Sequence, residues 1–313
     1  ELEDKAWPIP LFILRKKKGT GEIVEEKQMF DKKSMSIQNI INDSEWVKLN
    51  PGYKSFCRVW YRGENMKRLL PAIMDKSIDA IDRWSILYDS LNIARAGLMP
   101  YGDVIELLEA YSNEDEFIVA NEITRFFDQL INLFQPLKEN LQKFGSKILG
   151  GILHRIGSTE QNGESPDTKQ LRAGILSSLA FLCNDKEAQE TGLKLFKEYR
   201  ANKKLPENFD SNLIPFMMRC GSHYDKGAVE FLWDVVNNEK NPELQSQACV
   251  AVGFCPIDEV EQNMIKSFDV KKQDVIFFFA GFSFSASASV TASVAAAAVV
   301  PEAAVCPDDP LLP

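Results

Sequence analysis

At Gly63 the spacing of apolar residues changes from two to 3.6, and it stays helical to about residue 268. No other feature restricts the fold as strongly, because a period of two builds half-buried strands and a period of 3.6 builds amphipathic helices. Before the switch, five short segments read as strands: Pro8 to Leu14, Glu22 to Phe30, Ser36 to Ile41, Trp46 to Asn50 and Phe56 to Tyr61. Gly19-Thr20-Gly21 and Asn50-Pro51-Gly52 supply the turn chemistry for the first and last connections. Five strands make about half a sandwich, so strands from elsewhere are expected to complete it.

After the switch, Trp84, Leu87, Leu91 and Ala94 share one helical face, as do Ala228, Phe231, Leu232 and Val235. Ser165-Pro166-Asp167 and Asn241-Pro242-Glu243 place a capping side chain, a Pro at the first helical position and an acid near the positive end of the helix dipole. Ten or eleven helices are predicted. Short polar connections force neighbours to pack back to back, so the expected class is mainly α: an irregular stack of antiparallel αα-hairpins resembling HEAT or armadillo arrays, preceded by a small incomplete antiparallel β-sandwich. The expected division is residues 1–61 for the partial sandwich, 62–282 for the helical superhelix, and 283–313 for a Ser/Ala-rich tail, expected to be disordered.

That tail belongs to an uncharged stretch between Asp274 and Glu302, long enough to span a bilayer. Its Ser/Ala half is weakly hydrophobic and no basic flank follows, so a disordered, read-through or frameshifted terminus is preferred to a membrane anchor. The chain opens Glu1-Leu2-Glu3-Asp4 without Met or a signal-like run, and the true start is expected upstream.

The residues that could carry chemistry are few. Two histidines, His154 and His223, lie on different predicted helices, and His154 beside Arg155 reads as a helix-surface or capping residue. No H-E-x-x-H, G-x-S-x-G, P-loop or dinucleotide fingerprint occurs. Gly150-Gly151 reads as a helix junction, Arg15-Lys16-Lys17-Lys18 as a solvated hairpin tip, and Glu106, Glu109, Glu114, Asp115 and Glu116 as a charged helix end. Six cysteines without a CxxC pair suit a reducing compartment, and buried thiols are the default reading. A net charge of -9 argues against a nucleic-acid partner.

Two stretches carry a resemblance. Trp46-Val47-Lys48-Leu49-Asn50-Pro51-Gly52 followed by Phe56-Cys57-Arg58-Val59-Trp60-Tyr61 resembles the W-x-K-x-N, G-[FY]-[FY]-R-x-x-Y segment closing the β-sandwich of zinc aminopeptidases of the aminopeptidase N and puromycin-sensitive type. Asp82-Arg83, Leu87, Asp89 and Leu91 to Gly97 resemble that family's D-R-x-x-L-x-x-D-x-F-x-L-A-R-A-G signature, Leu69-Leu70-Pro71 its next helix, and Trp7 to Leu14 the strand entering the sandwich. The likeness covers residues 5 to about 282 and is carried by motif up to about residue 119. Ser55 stands for the usual Gly, Cys57 for an aromatic and Tyr88 for an acid.

The resemblance implies a four-part peptidase. In it, zinc held by two His and a Glu in an earlier domain activates water, a second Glu acts as general base, and the helical domain closes over the chamber. None of those positions has a counterpart here, so no catalytic, cofactor-binding or metal residue is assigned, and zinc is expected in the missing catalytic domain. Arg58, Asp82, Arg83 and Asp89 read as interdomain or buried ion-pair structure rather than substrate contacts. The implied role is that of a non-catalytic carboxyl-terminal fragment, inactive alone and cytoplasmic. Its partners would be a peptide substrate and the parent's catalytic domain, with no nucleic acid or membrane. The alternative is a stand-alone helical scaffold that binds peptide or protein without enzymatic activity.

Overall fold

The computed structural model describes residues 7–37 and 39–255. The expected tail at 283–313, the uncharged stretch between Asp274 and Glu302 and the end of the helical region lie outside the described residues. Three strands, β1 (Ile9–Lys17), β2 (Ile23–Phe30) and β3 (Ser44–Leu49), form an antiparallel sheet in the order β2-β1-β3. β1 and β2 make the hairpin expected from Gly19 and Gly21, both at positive φ, in a register that sets Ile13 opposite Glu26. The basic run continues β1 and is neutralised there: Arg15 pairs with Glu26, Lys16 with Glu45 and Lys17 with Glu22.

Two expected strands do not form. In Ser36 to Ile41, Asn39 takes the left-handed conformation (φ 60) and its carbonyl accepts the Asp43 N–H, so the segment closes as a turn. In Phe56 to Tyr61 the backbone groups pair with side chains instead of a neighbouring strand. The Val59 N–H donates to Asp89 and the Cys57 carbonyl accepts from Asn50.

Ten α-helices follow among the described residues. They are α1 (Gly63–Met74), α2 (Ala80–Arg95), α3 (Tyr101–Glu109), α4 (Phe117–Leu133), α5 (Lys138–Ile156), α6 (Pro166–Phe181), α7 (Lys186–Asn202), α8 (Ile214–Tyr224), α9 (Ala228–Asn238) and α10 (Pro242–Gly253). The chain is therefore mainly α with a small β part. Gly150 and Gly151 sit inside α5, not at a junction, because burial of Ile148, Leu149 and Ile152 outweighs the weak helix propensity of two glycines.

The described residues fall into two compact units. One comprises those up to Thr191 together with Pro206–Phe216, the other Gly192–Leu205 together with those from Met217 onward. In the first, α4 packs against α2, α5 and α6 and buries Ile123, Phe126, Phe127 and Leu130 completely, while α1 packs on β3. α2 has almost no polar side: Asp82, Arg83, Ser85, Asp89 and Ser90 are buried along with Ile86, Leu87 and Leu91. A helix buried on nearly every side must find partners for each polar group it carries. In the second unit, α9 and α10 pack as a hairpin, with Leu232, Val236, Ala248 and Val252 in its core.

Both expected caps form: Ser165 Oγ accepts the Thr168 N–H at 3.1 Å, and Asn241 Oδ1 accepts the Glu243 N–H at 2.9 Å. Ser165→Ala is expected to cost about 1 kcal/mol by orphaning that donor, read as a lower urea midpoint at constant slope. An unchanged midpoint would show that water caps α6 equally well.

Candidate functional site

The motif residues converge on one place, where the loop after β3 meets α2. Asn50, Gly52 and Tyr53 all have positive φ (54°, 65° and 54°), a tightly curled path that only Gly adopts freely. Side chains hold it. Asn50 Oδ1 accepts the Ser55 N–H at 2.7 Å while its Nδ2 donates to the Ser55 carbonyl at 2.9 Å, an amide clamp across five residues. The Ser55 hydroxyl donates to the Pro10 carbonyl of β1.

α2 grips the same loop from the other side. Asp82 Oδ1 accepts the Gly52 N–H at 2.7 Å and lies 3.5 Å from the buried Lys48 ammonium, which also donates to the Leu49 carbonyl at 2.7 Å. Two turns along, Asp89 accepts the Val59 N–H at 2.9 Å and the Tyr53 hydroxyl at 3.0 Å. The Tyr53 ring packs edge-on against Trp84, which stacks on Tyr88 at 4.8 Å between centroids. Tyr88 therefore replaces an acid with an aromatic prop for the curled loop. Tyr61 closes the knot by accepting the Leu49 N–H at 2.8 Å.

Burial is the main electrostatic force here. It pushes the Asp89 carboxyl above the usual range against the opposing pull of the Val59 and Tyr53 hydrogen bonds, and it depresses Lys48 despite Asp82. Burial, reinforced by Asp89, lifts the Tyr53 hydroxyl to about 12, which makes it a fixed donor and not a proton-transfer group. The fourth motif residue behaves differently. Arg58 is exposed, so it is not buried structure, although its charge is felt at Asp89.

Arg83 turns away from the loop to Glu114, a member of the charged helix end. Glu114 is buried, and its carboxylate takes Arg83 Nε at 2.8 Å and Nη2 at 2.9 Å. It also accepts the Asp115 and Glu116 N–H groups. Burial alone would raise the Glu114 carboxyl, but the guanidinium and these two N–H groups outweigh it and hold the group below the usual range. A lone Glu among acidic neighbours looks solvated in sequence; the matching signal was Arg83, 31 positions away.

Beside the knot a cleft of about 420 Å³ opens between the exit loop, α1 and α3. Trp60, Met66, Leu70, Met99 and Leu107 form its apolar lining. Arg62 lies over the Trp60 ring at 3.3 Å from the centroid.

Nothing in this arrangement is an acid, base or nucleophile poised to react. His154 is exposed in the last turn of α5. His223 lies exposed in the last turn of α8, where partial desolvation of the ring and then Arg219 lower its pKa. Burial drives the Cys183 and Cys220 thiols up to about 12, which makes them inert. Among the described residues no group of three or more His, Cys, Asp or Glu side chains is arranged to hold a metal ion. The described residues thus offer no ligand set for the zinc that the resemblance places in an earlier domain, and no chemical step runs through it here. Among the described residues no helix is long and apolar enough to cross a membrane.

The ERAP1-like C-terminal domain family matches residues 46–295. The chain is 22% identical to the Tricorn protease-interacting factor F2 of Thermoplasma volcanium, over 88% of this chain and 32% of that protein. It is 25% identical to Aminopeptidase M1-A of Oryza sativa subsp. japonica, over 75% of this chain and 28% of the relative. It is 23% identical to the puromycin-sensitive aminopeptidase of Caenorhabditis elegans, over 83% and 27%. It thus spans about a third or less of the length of these relatives. With the family matched over most of the chain, and Asp82 and Asp89 of its motifs built into one buried knot, the chain belongs to the ERAP1-like C-terminal domain family, the carboxyl-terminal part of aminopeptidases of the aminopeptidase N and puromycin-sensitive type.

Proposed function

We propose that the chain is the non-catalytic carboxyl-terminal fragment of a zinc aminopeptidase that removes amino-terminal residues from peptides, and that it encloses the substrate chamber of the parent enzyme. The observation that carries this reading is the employment of the motif residues. Asp82, Arg83 and Asp89 are buried and each holds backbone or another buried charge, a structural employment that leaves them out of reach of a substrate. The open side of the sheet supports it as well. β2 is an edge strand with Ile23 and Met29 about half exposed, a surface that would aggregate unless further strands from the rest of the protein cover it. Zinc and the general base then belong to the preceding catalytic domain, which is the expected partner together with the peptide. The division at residues 61 and 282 separates the sandwich remnant, the chamber helices and the tail. Reduced Cys57, Cys183 and Cys220 suit a cytoplasmic location.

The test is reconstitution. The purified chain is expected to bind no stoichiometric zinc and to leave aminoacyl reporter amides intact. Mixed with the catalytic part encoded by the same gene, it is expected to co-elute as a one-to-one complex and to raise kcat/KM on peptides. Zinc binding and reporter cleavage by the chain alone would overturn the proposal. So would a gene that encodes no catalytic part.

A further inference from the structure

The cleft between α1 and α3 carries an arrangement of charge that the knot does not use. Arg62 and Lys67 line it from the start of α1, and Asp103 and Glu106 line it from α3. All four side chains are exposed, and no ion pair joins the basic side to the acidic side. All four charges are exposed, where a direct pair gains little, so each side keeps its charge available to a ligand. Met66, Leu70, Met99 and Leu107 line the same cleft. Arg62 is fixed by stacking on Trp60, and Asp103 and Glu106 are anchored one turn apart on a helix whose opposite face is buried.

A ligand that satisfies both sides must itself be dipolar, with an anionic and a cationic end a few ångströms apart and an apolar group between them. An internal peptide segment has neither terminal charge, and a peptide amino terminus has only one. We propose that this cleft binds a small free amino acid with an aliphatic side chain. Its carboxylate would meet Arg62 and Lys67, its ammonium would meet Asp103 and Glu106, and its side chain would lie on Met66, Leu70, Met99 and Leu107. The volume, about 420 Å³, lies at the low end of small-molecule sites. The floor is aliphatic and adaptable, with the unbranched Met66 and Met99 beside Leu70 and Leu107, suited to Leu or Met side chains more than to a rigid aromatic. The inference does not depend on the fragment reading, since every group it uses lies in this chain.

Calorimetric titration of the full chain with L-leucine, L-leucinamide and N-acetyl-L-leucine tests it. L-leucine is expected to bind saturably with a Kd on the order of millimolar, as nine heavy atoms in an open cleft allow. Leucinamide, lacking the carboxylate, and N-acetyl-leucine, lacking the ammonium, are each expected to bind at least about tenfold more weakly. In the Asp103→Asn/Glu106→Gln variant, leucine should fall to the level of N-acetyl-leucine while N-acetyl-leucine itself is unchanged. The Arg62→Gln/Lys67→Gln variant should do the same for leucinamide. Absence of saturable leucine binding to the unaltered chain would overturn the proposal, as would equal affinity for leucine and leucinamide. Leucine binding that neither variant alters would place the site elsewhere and overturn it too.

Discussion

Replacing Arg83 with Met is expected to lower the folding stability of the chain by about 3 to 5 kcal/mol, because it strands the Glu114 carboxylate in the interior without its counter-ion. Arg83 and Glu114 are both almost fully buried, and the pair is bidentate. Arg83 also donates from Nη1 to the Ile78 carbonyl at 2.7 Å, so the substitution leaves a second acceptor unpaired. Urea unfolding should show the loss as a shifted midpoint with little change in slope. Arg83→Met/Glu114→Met should be destabilised by less than the sum of the single variants, since the second change removes the stranded charge. A loss below about 1 kcal/mol in Arg83→Met would show that water reaches Glu114 and that the pair behaves like a surface ion pair.

The same pair sets a pH dependence. The folded-state pKa of Glu114 lies below its unfolded value, so the unfolded chain binds more protons and stability grows with pH through that window. The contribution is fully present above about pH 4.3, the ordinary glutamate value, and is lost as pH falls through the folded value. Glu114→Gln should flatten the stability profile below that pH. Asp89 acts in the opposite sense, because its raised pKa makes ionisation mildly unfavourable to folding as pH rises through the folded value.

Gly221→Ala is the second large effect. A Cβ at Gly221 on α8 would fall 2.2, 2.3 and 2.5 Å from three ring carbons of Phe196, well inside contact distance. Phe196 is fully buried and packs edge-on against Phe231 at 5.8 Å, so the ring has little room to retreat. The penalty is expected to reach or exceed the upper end of ordinary overpacking, about 3 kcal/mol. Phe196→Leu should rescue it in part, so that the double variant melts above Gly221→Ala alone. Gly102→Ala is the matched control: that glycine lies in α3 at negative φ with nothing near its missing Cβ, and the substitution should stabilise by about 0.5 to 1 kcal/mol. Equal melting temperatures for the Gly221→Ala chain and the unaltered chain would mean that α8 shifts freely.

The contrast between those two glycines shows what a sequence can reveal. Both stand in helical patterns and look equivalent as letters, yet one touches a buried ring and the other faces open space. The same holds for acids. Asp82 and Asp89 were legible as structural because they belong to a recognisable motif, whereas Glu114 was hidden among Glu106, Glu109, Asp115 and Glu116. Arg58, within the motif, is exposed all the same.

Local order was legible because it is written locally. The change of period at Gly63, the glycines of the first hairpin, and the Ser165 and Asn241 caps are each decided by residues a few positions apart, and each appears where expected. The family was legible from residues 46 to 97 for the same reason. What only the tertiary structure decided is everything that depends on partners distant in sequence. Phe56 to Tyr61 has the composition of a strand, but Asp89 and Asn50 take its hydrogen bonds before a neighbouring strand can. Lys48 is interior because Asp82 pairs with its ammonium and two carbonyls accept its hydrogen bonds. The cleft is assembled from residues far apart in sequence, Trp60 to Leu70 and Met99 to Leu107. Apolar periodicity specifies which face of an element is buried, but which charge meets which across that face is settled by packing.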